Sequence, residues 1–257
     1  MSTIQSTSPS ETEKKWMQHF ERKIEHVHGN NVINTSFLDP RQLELAEAVL
    51  KNRPELSYTV YGGHPRAERN ALAIFPSERK SILPPVKAVK VNWAGDSDEI
   101  SHRDVLGAAL GLGLKRDQIG DIILLEDGGA VVFVEETKAD YLCSNLIQVG
   151  RVTVSCEVVE PEHLPLSKDD GKSIGGTVAS LRLDAIISLG FGVSRSRVVL
   201  MIKGGAVSVN WKPVSSPSIQ LNEGDQVSLK GRGRLLVESV EGETRKGRIR
   251  LRLKKYS

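Results

Sequence analysis

Trp16, Phe20, Ile24 and Val27 recur at helical spacing with charged residues between them, which predicts an amphipathic helix over residues 10–28. A second helix is expected in SFLDPRQLELAEAVLKNRP. There Asp39 stands at the cap, Pro40 at the first helical position, and Leu43, Ala46, Val49 and Leu50 turn inward before Pro54. Leu56–Tyr61 alternates as a strand, Gly62-Gly63 turns, and HPRAERNALAIFP reads as a short helical turn followed by another strand. From Val86 a clearer order begins: strand (VKAVKVNW), helix (SHRDVLGAALGLGL), strand (DIILLED), strand (AVVFVEE), helix (ADYLCSNLIQV), strand (RVTVSCEVV). Asp127-Gly128 supplies the hairpin turn between the middle strands.

That β-α-β-β-α-β order is the ferredoxin-like arrangement shared with RNA-recognition modules. Residues 161–176, PEHLPLSKDDGKSIGG, carry the proline, glycine and charge of a linker. Beyond it, residues 181–212 pattern as two short helices and the start of a hairpin. Arg182 falls in the first helical stretch, and Ser194 is placed to cap the second with its hydroxyl. Val198, Val199, Met201 and Ile202 are the second helix's apolar positions, and Gly204-Gly205 stops it. Val207 and Val209 then alternate as a strand leading Asn210, Trp211 and Lys212 into a turn. SIQLNEGDQVSLKGRGRLLVESV reads as two strands around residues 222–225. In KGRIRLRLKKY, Arg248, Arg250, Arg252 and Lys254 face one way and Ile249, Leu251 and Leu253 the other. The apolar row can pack on a sheet, or the row of cations can guard an exposed edge.

The expected fold is α+β in three parts. A disordered lead (1–9) precedes an N-terminal α/β region (10–85), a ferredoxin-like, RRM-like domain (86–160), the linker (161–176) and a C-terminal domain (177–257). Net charge is only +3, but it is unevenly placed: residues 177–257 hold 15 Lys and Arg against 6 Asp and Glu, whereas residues 1–176 hold 20 against 26. A polyanionic partner therefore belongs at the C-terminal end. Residues 86–160 hold 7 basic against 13 acidic side chains, and their third strand offers only Phe133 for stacking. A scaffold or protein-contact role is expected there, with Lys115 and Arg116 as local RNA contacts.

Catalytic chemistry finds little footing. Cys143 and Cys156 are too few for a disulfide framework or zinc cluster and read as buried thiols. His64 precedes a proline without a paired carboxylate or nucleophile and reads as a turn residue. Gly111-Leu-Gly113 lacks the strand-then-glycine context of a nucleotide loop. No cofactor, no metal and no catalytic residue is expected. The start, MSTIQSTSPSETEKKW, has no secretory hydrophobic core, and no apolar run approaches the roughly 20 residues of a membrane span. A cytoplasmic location is expected, with the chloroplast stroma as the alternative. Arg195 and Arg197 in the first helical turn oppose the helix dipole, which suggests a binding role rather than a stabilising one. The candidate RNA-binding residues are Arg182, Ser194, Arg195, Ser196, Arg197, Lys203, Asn210, Trp211, Lys212, Lys230, Arg232, Arg234, Arg248 and Arg250.

Arg182-Leu183-Asp184, Ser194-Arg195-Ser196 and the run from Ile202 to Asn210, followed by Gly224-Asp225, resemble the S-four RNA-binding domain of small-subunit ribosomal protein four. Phe37-Leu38-Asp39-Pro40, the GGHPRAER stretch and residues 103–122 resemble the YlmH-type proteins that carry this domain. Val209-Asn210-Trp211 and Gly231–Leu235 are similar to the cyanobacterial and plastid branch described as photosystem II S-four domain proteins. The resemblance implies a non-catalytic monomer that binds structured rRNA or tRNA without DNA specificity. It also implies action on the large ribosomal subunit, in translation quality control of stalled peptidyl-tRNA. Two alternatives stand beside it: an RNA-modifying enzyme with its site near His64, Arg66 and Glu68, and an assembly scaffold using the acidic middle domain. Asp184 superficially resembles the catalytic aspartate of pseudouridine synthases, but inside the S-four signature it reads as structural.

Overall fold

Ser10 opens the first helix, α1 (Glu11–Ile24), with a reciprocal cap: its hydroxyl accepts from the Glu13 amide while the Glu13 carboxylate accepts from the Ser10 amide. The computed structural model describes residues 9–93, 100–125, 128–161 and 171–256, in two compact units that part within the segment 162–170. The expected lead apart from Pro9, the Asp127 half of the hairpin turn and most of the linker lie outside the described residues. α1 ends at Ile24 rather than at residue 28, and Val27 is buried in the turn that follows. Asp39 caps α2 (Pro40–Leu50), with Pro40 at its first position as expected. The Arg41 guanidinium is buried between α1 and α2, donating to Glu13 at 2.6 Å and to Glu44 at 2.7 Å. Both helices pack on a small antiparallel sheet of β1 (Ile33–Asn34), β2 (Leu56–Tyr61) and β3 (Ala71–Pro76), in the order β1-β3-β2.

The central elements are β4 (Val86–Trp93), α3 (His102–Gly111), β5 (Ile119–Leu124), β6 (Ala130–Glu135), α4 (Glu136–Asn145), the short β7 (Gln148–Val149) and β8 (Val152–Val159). Their antiparallel order, β5-β6-β4-β8-β7, is the ferredoxin-like topology that the alternation predicts. Val89, Val91, Val132 and Val134 meet the helices on one face. Val131 and Phe133 point to the other face, where an RNA-recognition module would stack bases. Phe37 and Ala71 of the N-terminal region fill that face instead.

The GGHPRAER stretch makes this junction. Gly63 adopts φ +94 and lies so close to Phe133 that an added Cβ would sit 2.1 Å from the ring. The His64 ring tilts over Phe133 with centroids 4.9 Å apart. His64 does have a carboxylate partner, supplied by the fold 57 residues away: its Nε2 lies 3.1 Å from Asp121 Oδ2. Asp121 also accepts from the backbone amides of Glu68 (2.7 Å) and Arg69 (3.1 Å). Burial opposes the charge on Asp121, yet these three donors hold its carboxyl below the usual range. Arg69 donates to the carbonyls of Phe37 and Ile119.

The C-terminal unit comprises β9 (Lys172–Val178), α5 (Leu183–Phe191), α6 (Arg195–Lys203), β10 (Val207–Val209), β11 (Lys212–Pro213), β12 (Gln226–Leu229), β13 (Gly233–Glu243) and β14 (Ile249–Tyr256). The sheet runs β11-β10-β12-β13-β14-β9, and the axes of α5 and α6 turn by 116° at their junction. Residues 172–176, read as linker, form the start of β9. Of its two glycines, Gly176 serves close packing, since a Cβ there would sit 2.5 Å from the Leu189 side chain of α5, whereas Gly175 faces open space. The strand pair flanks residues 230–232 rather than 222–225, because Gln220 bridges back to Arg182 before the sheet begins. β14 pairs with both β13 and β9, so its row of cations does not guard an edge. No single described helix is long and apolar enough to cross a membrane.

Replacing Gly63 with alanine should destabilise the N-terminal unit by about 2–4 kcal/mol in chemical denaturation, from lost ring space and a strained positive φ. The hydrogen bond from Arg41 leads the causes that hold the Glu13 carboxyl at about 2, against an ordinary 4.5. A folded value below the unfolded one means that this contribution is complete above about pH 4.5 and disappears as pH falls toward 2. Glu13→Gln should therefore be less stable than the parent at pH 7 and converge with it in acid, as read by denaturation at several pH values.

Candidate nucleic-acid interface

Arg182 is not helical: it is the extended residue that caps α5 (φ −67, ψ 142). The backbone fixes it there, with an isolated bridge to Gln220 and a 2.8 Å hydrogen bond from the Leu183 amide to the Ile219 carbonyl. Asp184 follows in the first turn of α5 and is only 4% exposed. Its carboxylate accepts from Arg182 Nε at 3.1 Å and Arg195 Nη2 at 2.6 Å, with Arg182 Nη2 at 3.4 Å. Burial pushes the Asp184 carboxyl up, but the two guanidinium groups outweigh burial and hold it below the ordinary carboxylate range. One buried anion thus joins cations from the starts of two helices that would otherwise repel each other. Arg182 and Arg195 remain 37% and 53% exposed, so donors not engaged by Asp184 are available at the surface.

α6 carries the rest of this face. Val198 and Ile202 anchor it in the core, while Ser194, Arg195, Ser196, Arg197 and Lys203 are exposed. Ser194 stands at the cap position, but its hydroxyl makes no capping bond. It lies 3.3 Å from the Ser196 hydroxyl instead, leaving the first amides of α6 uncapped by that side chain. At the far end, the Lys230 amide donates to the Ala206 carbonyl at 2.9 Å. This contact places the turn of Lys230, Gly231 and Arg232 beside the chain leaving α6 after Lys203.

The remaining candidates separate from this group. Asn210 and Trp211, with φ +47 and +63, are the central pair of a two-residue hairpin closed by Val209 and Lys212. The Asn210 side chain donates to Asp225 and accepts from the Gln226 amide, both at 2.9 Å, so its amide group is engaged within the domain. Trp211 is half-buried outside the core cluster, and Lys212 begins β11. Arg234 lies within β13 rather than on the turn, its guanidinium 5.7 Å from the centre of the Tyr256 ring. Arg248 is fastened to β9 by hydrogen bonds to the Thr177 hydroxyl (3.0 Å) and carbonyl (2.6 Å). Arg250 is exposed on the sheet face opposite the helices, since Leu251 and Leu253 turn into the core. Arg252 shares that opposite face and pairs with Glu241 at 2.9 Å. The sequence reading missed how much rests on Asp184, although Arg-Leu-Asp and Ser-Arg-Ser both stand in the signature.

Other chemistry is sparse. Among the described residues no group of three or more His, Cys, Asp or Glu could hold a metal ion. Cys143 and Cys156 are free and half-buried. Burial, with Cys143 nearby, pushes the Cys156 thiol up to about 11, so it stays protonated and donates to the Leu146 carbonyl.

Comparison with known proteins finds three family matches along the chain. Residues 14–79 match the family described as "YlmH, N-terminal", residues 85–163 "Putative RNA-binding domain in YlmH", and residues 181–227 "S4 domain". The chain is 35% identical over 222 residues to the ribosome-associated protein quality control protein P2 of Bacillus subtilis (strain 168), covering 84% of each. Among solved structures, it is similar to the cell division protein ylmH from Streptococcus pneumoniae, with 19% identity, a TM-score of 0.49, and coverage of 60% of this chain and 94% of that one. A pseudouridylate synthase structure matches at 33% identity with a TM-score of 0.21, over 25% of this chain and 27% of that one. The fold and its cationic helix pair define an RNA-binding protein built on an S-four domain. More particularly, the chain belongs to the YlmH family.

Asp184→Asn should destabilise the C-terminal unit by about 1–3 kcal/mol, because two guanidinium groups lose their anion. The loss should be largest near neutral pH and shrink in acid, where the parent's carboxyl is itself protonated. Denaturation curves recorded from pH 7 down to pH 3 test both the size and the direction.

Proposed function

We propose that this protein binds structured ribosomal RNA or tRNA through the α5–α6 face of its S-four domain and acts, without catalysis of its own, as a ribosome-associated factor. The observation that carries the proposal is the Asp184 clamp, which holds Arg182 and Arg195 half-exposed at the starts of α5 and α6, while Arg197 and Lys203 are exposed further along α6. Fixed guanidinium groups suit phosphate oxygens, and their contacts position an RNA rather than read its sequence. Lys230 and Arg232 extend the contact past the end of α6. The Bacillus subtilis relative is named for ribosome-associated quality control. On that basis the proposed target is the large subunit carrying a stalled peptidyl-tRNA, met by a monomer in the cytoplasm or in a plastid stroma.

The central domain is assigned a supporting role. Its stacking face is filled by Phe37 and His64, and Arg116, read as a possible RNA contact, donates to the carbonyls of Ile119 and Gly120. The same filling argues against an enzymatic site at His64, whose side chain is 7% exposed and engaged by Asp121.

Co-sedimentation with purified bacterial ribosomal subunits over a salt series is the test. The parent should bind with a steep salt dependence, because each phosphate contact releases condensed counterions. Arg195→Ala with Arg197→Ala should weaken binding by about tenfold or more and reduce the salt slope by about 1–2. Unchanged binding by a folded double variant would place the site elsewhere.

A further inference from the structure

Leu200 is 71% exposed, more than any other large apolar side chain among the described residues, and no other in the C-terminal unit is comparably open. Its position on α6 makes that exposure informative. Residues three and four apart share a helix face, so Ser196 and Arg197 flank Leu200 on one side and Lys203 and Gly204 on the other, all of them exposed. From Arg197 to Lys203 the axis rises about 9 Å, with Leu200 midway. The exposed stripe of α6 is therefore a branched apolar side chain set between two cations, while Val198 and Ile202 on the opposite side hold the helix in the core.

A single leucine is too little apolar surface for a membrane or a stable protein interface. It matches the scale of one nucleoside. RNA presents ribose C–H groups and base faces between successive phosphates, in the shallow minor groove or in an unpaired loop. We infer that Leu200 packs against the ribose or base of a nucleotide whose neighbouring phosphates are held by Arg197 and Lys203. This inference rests on the RNA reading of the α5–α6 face and adds an apolar contact to its ionic ones. Such a contact distinguishes RNA from a featureless polyanion, which offers phosphates with nothing apolar between them.

The test compares the parent, Leu200→Gln, Leu200→Met and the Arg195→Ala/Arg197→Ala variant, each as the full chain. Binding to deproteinised bacterial ribosomal RNA and to intact ribosomal subunits is measured over a salt series. Leu200→Gln should weaken binding to the deproteinised RNA by about five- to tenfold. Its salt slope should stay unchanged, because no cation is removed. Leu200→Met, which keeps the apolar volume, should bind like the parent. Thermal denaturation should show both Leu200 variants as stable as the parent, since Leu200 makes little contact with the core, and the Arg195→Ala/Arg197→Ala variant folded but less stable, since Asp184 keeps only Arg182 as its partner. If Arg195→Ala/Arg197→Ala weakens RNA binding and Leu200→Gln does not, the leucine contact is refuted while the RNA reading stands. If neither set of changes affects binding, the RNA reading of this face fails as well. A loss with intact subunits but not with deproteinised RNA would assign Leu200 to a ribosomal protein and overturn the inference.

Discussion

Asp184 holds the cationic side of the C-terminal domain together. A carboxylate so deeply buried is unfavourable alone, and two arginines close to each other are unfavourable alone. Together they form a fixed unit, and the unit sits where two helices of different direction begin. Much of the nearby structure bears on that placement. The bridge from Arg182 to Gln220 fixes the entry to α5, Gly176 lets α5 lie directly on β9, and the buried Val198 and Ile202 set the rotation of α6. The arrangement also explains cations in the first turn of α6, against its dipole. Arg195 is offset by Asp184, and Arg197 is exposed on α6.

The N-terminal unit shows a different use of buried polar groups. Asp121 gathers His64 and the amides of Glu68 and Arg69, and Arg69 reaches on to two backbone carbonyls. These contacts press the glycine-rich turn onto Phe133 and close the sheet face that a related fold leaves open for bases. The ferredoxin-like order is thus kept while its commonest mode of RNA contact is closed off. This fits the excess of acidic over basic residues in that part of the chain.

Elements with strong periodicity or unambiguous caps were legible in the sequence. The helix begun by Asp39-Pro40, the ferredoxin-like order and the alternation of β14 all follow from local rules. What was not legible depended on distance. Nothing in the order of residues pairs His64 with Asp121, and residues 172–176 resemble a flexible connector until Leu189 is seen lying over Gly176. The cationic residues were legible as a set but not as a surface. Strand register sends Arg234 and Arg250 to the face opposite the helices, Thr177 holds Arg248, and Asp225 and Gln226 engage Asn210. Leu200 shares a face with Arg197 and Lys203 in the helical pattern, but in a run of five apolar residues the sequence does not mark which one is left in solvent.

The most direct measurement is ultraviolet crosslinking of the full-length protein to RNA in its native extract, with sequencing of the attached RNA and mass spectrometry of the attached peptides. The account expects crosslinked peptides from residues 182–203 and 230–232, joined to a defined element of ribosomal RNA or tRNA. Crosslinks confined to the N-terminal unit, or to messenger RNA alone, would contradict it.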